Sequence, residues 1–144
     1  MKGRLIVSER SLKTGKKRVV ADVENMILDN MYEQFIKLLG GTGNQAYLSR
    51  MLFGTGNDAP DATQNFLSRP ITPAKDVITV VDAPNFSVTA SASLLSNEAN
   101  GFPISEAGLL TFDNVLVTRA IFDTRMKTKD FVFDFQWVIY TKAP

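Results

Sequence analysis

Residues 131–140 read Phe131-Val132-Phe133-Asp134-Phe135-Gln136-Trp137-Val138-Ile139-Tyr140, and they alternate without a break. Phe131, Phe133, Phe135, Trp137 and Ile139 share one face, while Val132, Asp134, Gln136, Val138 and Tyr140 share the other. A period of two in aromatic and β-branched residues is the pattern of a β-strand with one face in a core. Working upstream, Ile104–Leu110 and Val115–Phe122 flank Phe112, Asp113 and Asn114, a hairpin-type turn. Phe86, Val88, Ala90, Ala92 and Leu94 alternate with Ser87, Thr89, Ser91 and Ser93, and Val77–Val81 is a compact β-branched run. Tyr47–Phe53 is a short strand closed by Gly54 and Gly56, and Asn57–Pro73, with three prolines, reads as loop.

Asp22–Leu39 has helical spacing instead. Val23, Ile27, Met31 and Phe35 form one apolar row, and Leu28, Tyr32, Ile36 and Leu39 form its neighbour. Asp22 is the expected N-cap and Gly40 the expected residue just past the end. So broad an apolar stripe predicts a helix packed on something large. The expected architecture is mainly β: an antiparallel β-sandwich with one packed α-helix and an N-terminal basic hairpin or arm, a barrel being the alternative. Residues 1–21 form the arm or hairpin, and residues 22–144 form the sandwich domain, including the helix over 22–39.

The chain has 144 residues, no cysteine and no histidine. These absences exclude disulfides, thiolate or imidazole metal ligation, cysteine nucleophiles and every catalytic arrangement with an imidazole base. No apolar run approaches the roughly 18 residues that cross a bilayer. The net charge of +1 hides an asymmetry: Lys2, Arg4, Arg10, Lys13, Lys16, Lys17 and Arg18 face only Glu9 in the first 18 residues, a net of +6, and the remainder carries −5. Such an arm suits nucleic acid or an acidic neighbour, including another copy of the chain; the plainer alternative is a solvated hairpin, with Leu5–Val7 and Val19–Val20 as its strands.

Chemical motifs are few. Gly41-Thr42-Gly43-Asn44-Gln45-Ala46 and Gly54-Thr55-Gly56-Asn57-Asp58-Ala59 match a loose dinucleotide fingerprint, but the first follows a helix and the second runs into Pro60. Neither has the strand-to-helix setting that presents amides to a pyrophosphate, so no cofactor is expected. Glu98 and Glu106 could pair as acid and base, and Asn57, Asp58 and Asp61 could offer oxygens to calcium, though the spacing fits neither role specifically. No catalytic residue and no metal is assigned. The aromatics sit at alternating strand positions and read as core, so nucleic acid is not expected on the sheet and stays open only for the arm.

Glu106 lies between Ile104 and Leu109, where an unpaired carboxylate would be costly, so it should reach backbone amides or a cation such as Arg119. Gly101 and Gly108 suit a tight turn and a bulge or close strand approach.

Taken together, the helix ending in glycines, Phe53-Gly54-Thr55-Gly56, the Ser/Thr-alternating strand Phe86–Leu95, Glu98-Ala99-Asn100-Gly101, Ile104-Ser105-Glu106-Ala107-Gly108-Leu109-Leu110, Arg119 and the last aromatic strand resemble small structural proteins of tailed bacteriophages, of the neck, tail or fibre-base type. The resemblance spans roughly residues 21–141. It implies a non-enzymatic virion subunit, assembled in the host cytoplasm in several copies as a ring, adaptor or fibre attachment, with itself and other virion proteins as partners and no membrane. Gly54, Gly56, Gly101, Glu106, Gly108 and Arg119 would be its structural residues, and the seven basic residues of the arm the expected assembly interface. The chain ends at Pro144, directly after the last strand, which leaves no room for a long shaft. Capsid decoration is the alternative within the class. A host-surface carbohydrate, met by Tyr47, Tyr140 or Trp137, is the alternative outside it.

Overall fold

The computed structural model of the chain describes residues 1–43 and 45–142. Asn44 of the first glycine phrase and Pro144 at the expected chain end lie outside the described residues.

Ten strands and one helix follow in the order β1 (Lys2–Ser11), β2 (Lys17–Glu24), β3 (Met26–Ile27), α1 (Asp29–Leu39), β4 (Leu48–Gly54), β5 (Pro70–Asp76), β6 (Ile78–Asp82), β7 (Ser87–Leu94), β8 (Pro103–Thr111), β9 (Leu116–Met126) and β10 (Phe131–Tyr140). They make two antiparallel five-stranded sheets, β2-β1-β10-β7-β6 and β3-β9-β8-β4-β5. The expected mainly β fold, two packed antiparallel sheets with one helix, is what forms.

β10 is the central strand of the first sheet. Phe133, Phe135, Trp137 and Ile139 point into the core, joined by Leu5 and Val7 of β1 and Ala90 and Leu94 of β7. The second sheet answers with Met51, Phe53, Ile104, Ala107, Leu109, Val117 and Phe122. Phe53 and Phe135 meet across the sheets with ring centroids 4.6 Å apart and planes tilted by 50°. Each such side chain, fully buried, stabilises the fold by about 1.5–3 kcal/mol. The Trp137 indole N–H donates to Asn25 Oδ1 at 2.9 Å. Asn25 stands where the chain leaves the first sheet for the second, and its amide nitrogen donates to the Thr118 hydroxyl of β9.

Three expectations change. The helix begins at Asp29, after Leu28, and not at Asp22, which lies in β2 opposite Ile6. Nor is its apolar stripe buried: within α1 only Gln34 is buried, while Phe35, Ile36, Leu38 and Leu39 are exposed. Residues 70–73, read as the end of a loop, begin the edge strand β5, which runs on to Asp76; an edge position tolerates Pro70 and Pro73.

Residues 1–21 are a hairpin, and it is built into the sandwich. β1 pairs with β10 over its whole length, from Lys2 opposite Tyr140 to Ser11 opposite Phe131, and with β2 on its other side. An extended arm would leave those backbone groups to water, whereas here a ladder satisfies them. The boundary expected at residue 21 falls inside β2. Deleting residues 1–21 therefore strips the central strand of its neighbour. The expected outcome is loss of cooperative unfolding as followed by the fluorescence of Trp137, and a folded truncated chain would contradict it.

Candidate assembly surface

The polar centre of the molecule is Glu106, in the middle of β8 and fully buried. Its carboxylate accepts N–H bonds from Gly56 (3.1 Å), Ser68 (3.1 Å) and Arg69 (2.7 Å). From β9, one strand over, the equally buried Arg119 donates Nε to Glu106 Oε2 at 2.9 Å. The remaining guanidinium nitrogens reach the Asp58 carbonyl (3.0 Å), the Gln64 amide oxygen (3.3 Å) and the Asp58 carboxylate (3.3 Å). An unpaired buried charge would be prohibitive, so the pair holds only because the loop wraps it.

The glycines make the room. A Cβ on Gly54 would overlap the Glu106 side chain and lie 2.6 Å from the Arg69 carbonyl oxygen; one on Gly56 would lie 2.7 Å from Glu106 Oε1. A Cβ on Gly108 would meet Leu116 at 2.7 Å and Leu67 at 2.9 Å. Gly101 is different: open space surrounds it, and its φ of +85° is what an ordinary side chain resists.

Leu67, held beside Gly108, packs with Leu28, Leu110 and Leu116 in a second small core. That core anchors the helix. The Leu28 amide donates to Val117 O (3.0 Å), the Asp29 amide to Ala62 O (2.8 Å), and the Asn30 amide group to Leu116 O and Asn65 Oδ1 (both 3.1 Å). So the loop that Glu106 organises is also the seat of α1.

Held by its first turn, α1 presents an apolar face to solvent, with Ile36 65% and Leu39 73% exposed. Between α1, the start of β4 and the β6–β7 end of the first sheet lies a groove of about 420 Å³, walled by Met31, Phe35, Tyr47, Val81, Phe86 and Val88 among others. Beyond the groove, β6 is an open edge whose five residues are all exposed, Ile78 and Val81 by 74% each. Helix face, groove and the Thr79–Val81 side of β6 form one apolar strip along one end of the sandwich, and Ile78 and Val80 stand on the other face of the same strand. Strips this extensive on a small domain mark contact surfaces. Composition alone could not locate it, because the same residues read as core.

The basic residues of the hairpin are mostly engaged inside the chain. Arg4 pairs with Asp22 (2.5 Å), Arg10 and Lys17 with Asp134 (3.3 and 3.5 Å), and Arg18 with Glu9 (3.2 Å). Arg125 of β9 completes the Glu9 site at 2.7 Å. Lys2, Lys13 and Lys16 have no carboxylate partner among the described residues. The charge split is real as a count: Asp22 of β2 and Asp134 of β10 offset two of the six net charges, Glu9 is already within that count, and the hairpin stays net basic.

The carboxylates weighed for acid–base or calcium chemistry are each engaged with separate partners. Glu98, in the turn before β8, binds Lys75 Nζ at 2.8 and 2.9 Å. Burial raises its pKa, but the Lys75 and Leu95 hydrogen bonds and the Lys75 charge outweigh this and hold it below the ordinary value, away from what a general acid needs. Glu106 has no solvent contact. Asp58 serves Arg119 and Asp61 caps Thr63, and no acidic cluster able to hold a metal occurs among the described residues. Of the aromatic ligand candidates, Trp137 is wholly buried, Tyr140 is partly covered, and Tyr47 is exposed and stacked on Phe112 at 5.3 Å. Among the described residues no helix is long and apolar enough to cross a membrane. Comparisons with models of known protein families, with curated proteins and with solved structures find no match for this chain.

Replacing Glu106 by Gln removes the buried carboxylate charge that balances Arg119 and is expected to cost about 3–5 kcal/mol in urea unfolding. The double change Glu106→Leu with Arg119→Met should cost less than either single change; equal or greater loss would contradict the pair's role. Asp134 gives a pH prediction. Burial raises its pKa, but hydrogen bonds from Ser93 and Arg10 and the charges of Lys17 and Arg10 win, so it is lowered on folding. A lowered carboxyl stabilises the fold above its unfolded pKa and loses that contribution as pH falls through the folded value. Asp134→Asn should therefore be less stable than the wild type at neutral pH, and the gap should close in acid below the ordinary carboxylate range.

Proposed function

We propose that this chain is a non-enzymatic structural subunit of a tailed-phage virion, assembling in multiple copies at the neck, collar or tail as a ring, adaptor or fibre-attachment component. The observation that carries the assembly reading is the apolar strip of α1, groove and β6, left open by a sandwich whose core is otherwise complete. The phrases around Gly54, Glu98-Ala99-Asn100-Gly101 and Glu106 supply the phage-like resemblance, and those around Gly54 and Glu106 hold the loop on which α1 is seated. Partners on this reading are further copies of the chain and other virion proteins. The hairpin now contributes as a wall of the sandwich, with Lys2, Lys13 and Lys16 the cations of the hairpin that have no carboxylate partner among the described residues and so are available to an acidic neighbour. Work of this kind needs a rigid shape and a sticky surface, and neither histidine nor cysteine.

Capsid decoration differs from this reading in copy number, which quantitative mass spectrometry of intact particles measures: dozens of copies or fewer fit neck or tail, hundreds fit decoration. A second reading, recognition of host carbohydrate, is favoured by one observation, the exposed Tyr47 stacked on Phe112. A glycan array with the purified chain decides it.

Leu39→Lys places a charge on the exposed face of α1 without touching the core. The variant should fold with wild-type stability, within about 0.5 kcal/mol as surface changes do, and be incorporated into particles several-fold less well. Undiminished incorporation would contradict the role given to the helix face.

A further inference from the structure

Four strands end the two sheets, and three carry the devices that stop edges from sticking. β2 bears Lys17, Arg18, Asp22 and Glu24; β5 contains Pro70, Pro73, Lys75 and Asp76 and has a register break; β3 is two residues long. β6 has no proline and no register break, and its single charge, Asp82, stands at its last position. It reads Ile78-Thr79-Val80-Val81-Asp82, pairs with β7 in unbroken register, and leaves its other edge and all five side chains to solvent.

We propose that β6 is a self-pairing edge: two copies of the chain join antiparallel through β6, related by a two-fold axis perpendicular to the sheet, to give one ten-stranded sheet. This rests on the reading of the chain as an assembling subunit and names the first partner as a second copy. Strand direction selects the two-fold. With five strands all antiparallel, β2 and β6 run the same way, so joining β6 of one copy to β2 of the next would be a parallel pairing, less stable per residue and set against β2's charges. β6 with β6 is antiparallel and uncharged along its centre.

The register follows as well. An axis perpendicular to the sheet keeps each side chain on its own face, so one residue must oppose itself. Centring on Thr79 would run the pairing past β6 into Val77 and the β5 residue Asp76, with Asp82 on Asp76 a like-charge pair, and centring on Val81 would run it into Ala83 and Pro84. Centring on Val80 opposes Ile78 with Asp82 and Thr79 with Val81 and uses all five residues. The same axis brings the two grooves onto one side of the joined sheet, next to each other. Val81, Phe86, Phe35 and Tyr47 stand on the groove side and Ile78 and Val80 on the other face of β6; the roughly 700 Å² these six expose, judged from the ~150–250 Å² of an aromatic side chain, is the upper bound on what each copy can bury and reaches the ~600–1,000 Å² per partner of stable interfaces.

The cysteine-free chain makes the test clean. In the Val80 register the two Val80 Cα atoms lie about 4.5–5.5 Å apart, inside the disulfide range, whereas the two Ile78 Cα atoms lie about 14 Å apart. Oxidised with diamide, purified Val80→Cys should run mostly as a covalent dimer, and Ile78→Cys should remain monomeric. Both sites are exposed, so neither change threatens folding. Sedimentation velocity of the unmodified chain at about 100 μM, where an interface of this size is populated, should show a dimer. No cross-link at Val80→Cys, equal cross-linking at both positions, or a monomer at that concentration overturns the proposal. A chain that is monomeric alone yet incorporated into particles overturns this inference and leaves the subunit reading standing.

Discussion

The architecture turns on one buried ion pair. Glu106 and Arg119 lie on adjacent strands of the second sheet, with no exposure between them, and everything that neutralises them comes from the chain between Gly56 and Arg69. A charge pair in that setting is not a strong stabiliser by itself, since desolvation consumes most of its attraction. What it provides is specificity, because the pair is tolerable in only one arrangement of the loop. The amides of Gly56, Ser68 and Arg69 must point inward at the carboxylate, and Gly54 and Gly56 must lack side chains for the loop to come close enough.

From that constraint the assembly surface follows. Leu67 is delivered beside Gly108, the small leucine core closes over Leu28, and the first turn of α1 is fastened to Ala62, Asn65 and Leu116. Beyond that turn the helix walls the groove with Met31 and Phe35 and leaves Ile36, Leu38 and Leu39 open. A helix tethered at one end and uncommitted along its face suits docking against a neighbour, and the groove and the bare β6 edge extend that face across the end of the sandwich.

The sequence makes the strands legible wherever alternation is undisturbed. β7 and β10 declare both their extent and their inward faces, and the need of Glu106 for amides or a cation is readable from its apolar flanks. The helix start is not legible, for a specific reason. Val23 and Ile27 are four apart, a spacing shared by a helix row and by every second inward residue of a strand. In the folded chain Ala21, Val23 and Ile27 pack on the core from β2 and β3, with Asn25 between them holding the Trp137 N–H. β5 was hidden by its prolines, which an edge strand accepts. The basic run was legible as a count of charges; its pairing with Asp22 of β2 and Asp134 of β10 depends on the sheet order, which no local pattern reveals. Nor does an apolar stripe on a helix say whether its cover lies in the same chain.

Amide hydrogen exchange at Gly56, Ser68 and Arg69 tests the central constraint most directly. All three lie outside the strands, where amides ordinarily exchange through small local fluctuations. If Glu106 pins the loop, these amides exchange only through global unfolding, at the rates of the β8 and β10 core. Exchange at these positions orders of magnitude faster than the core would contradict the account.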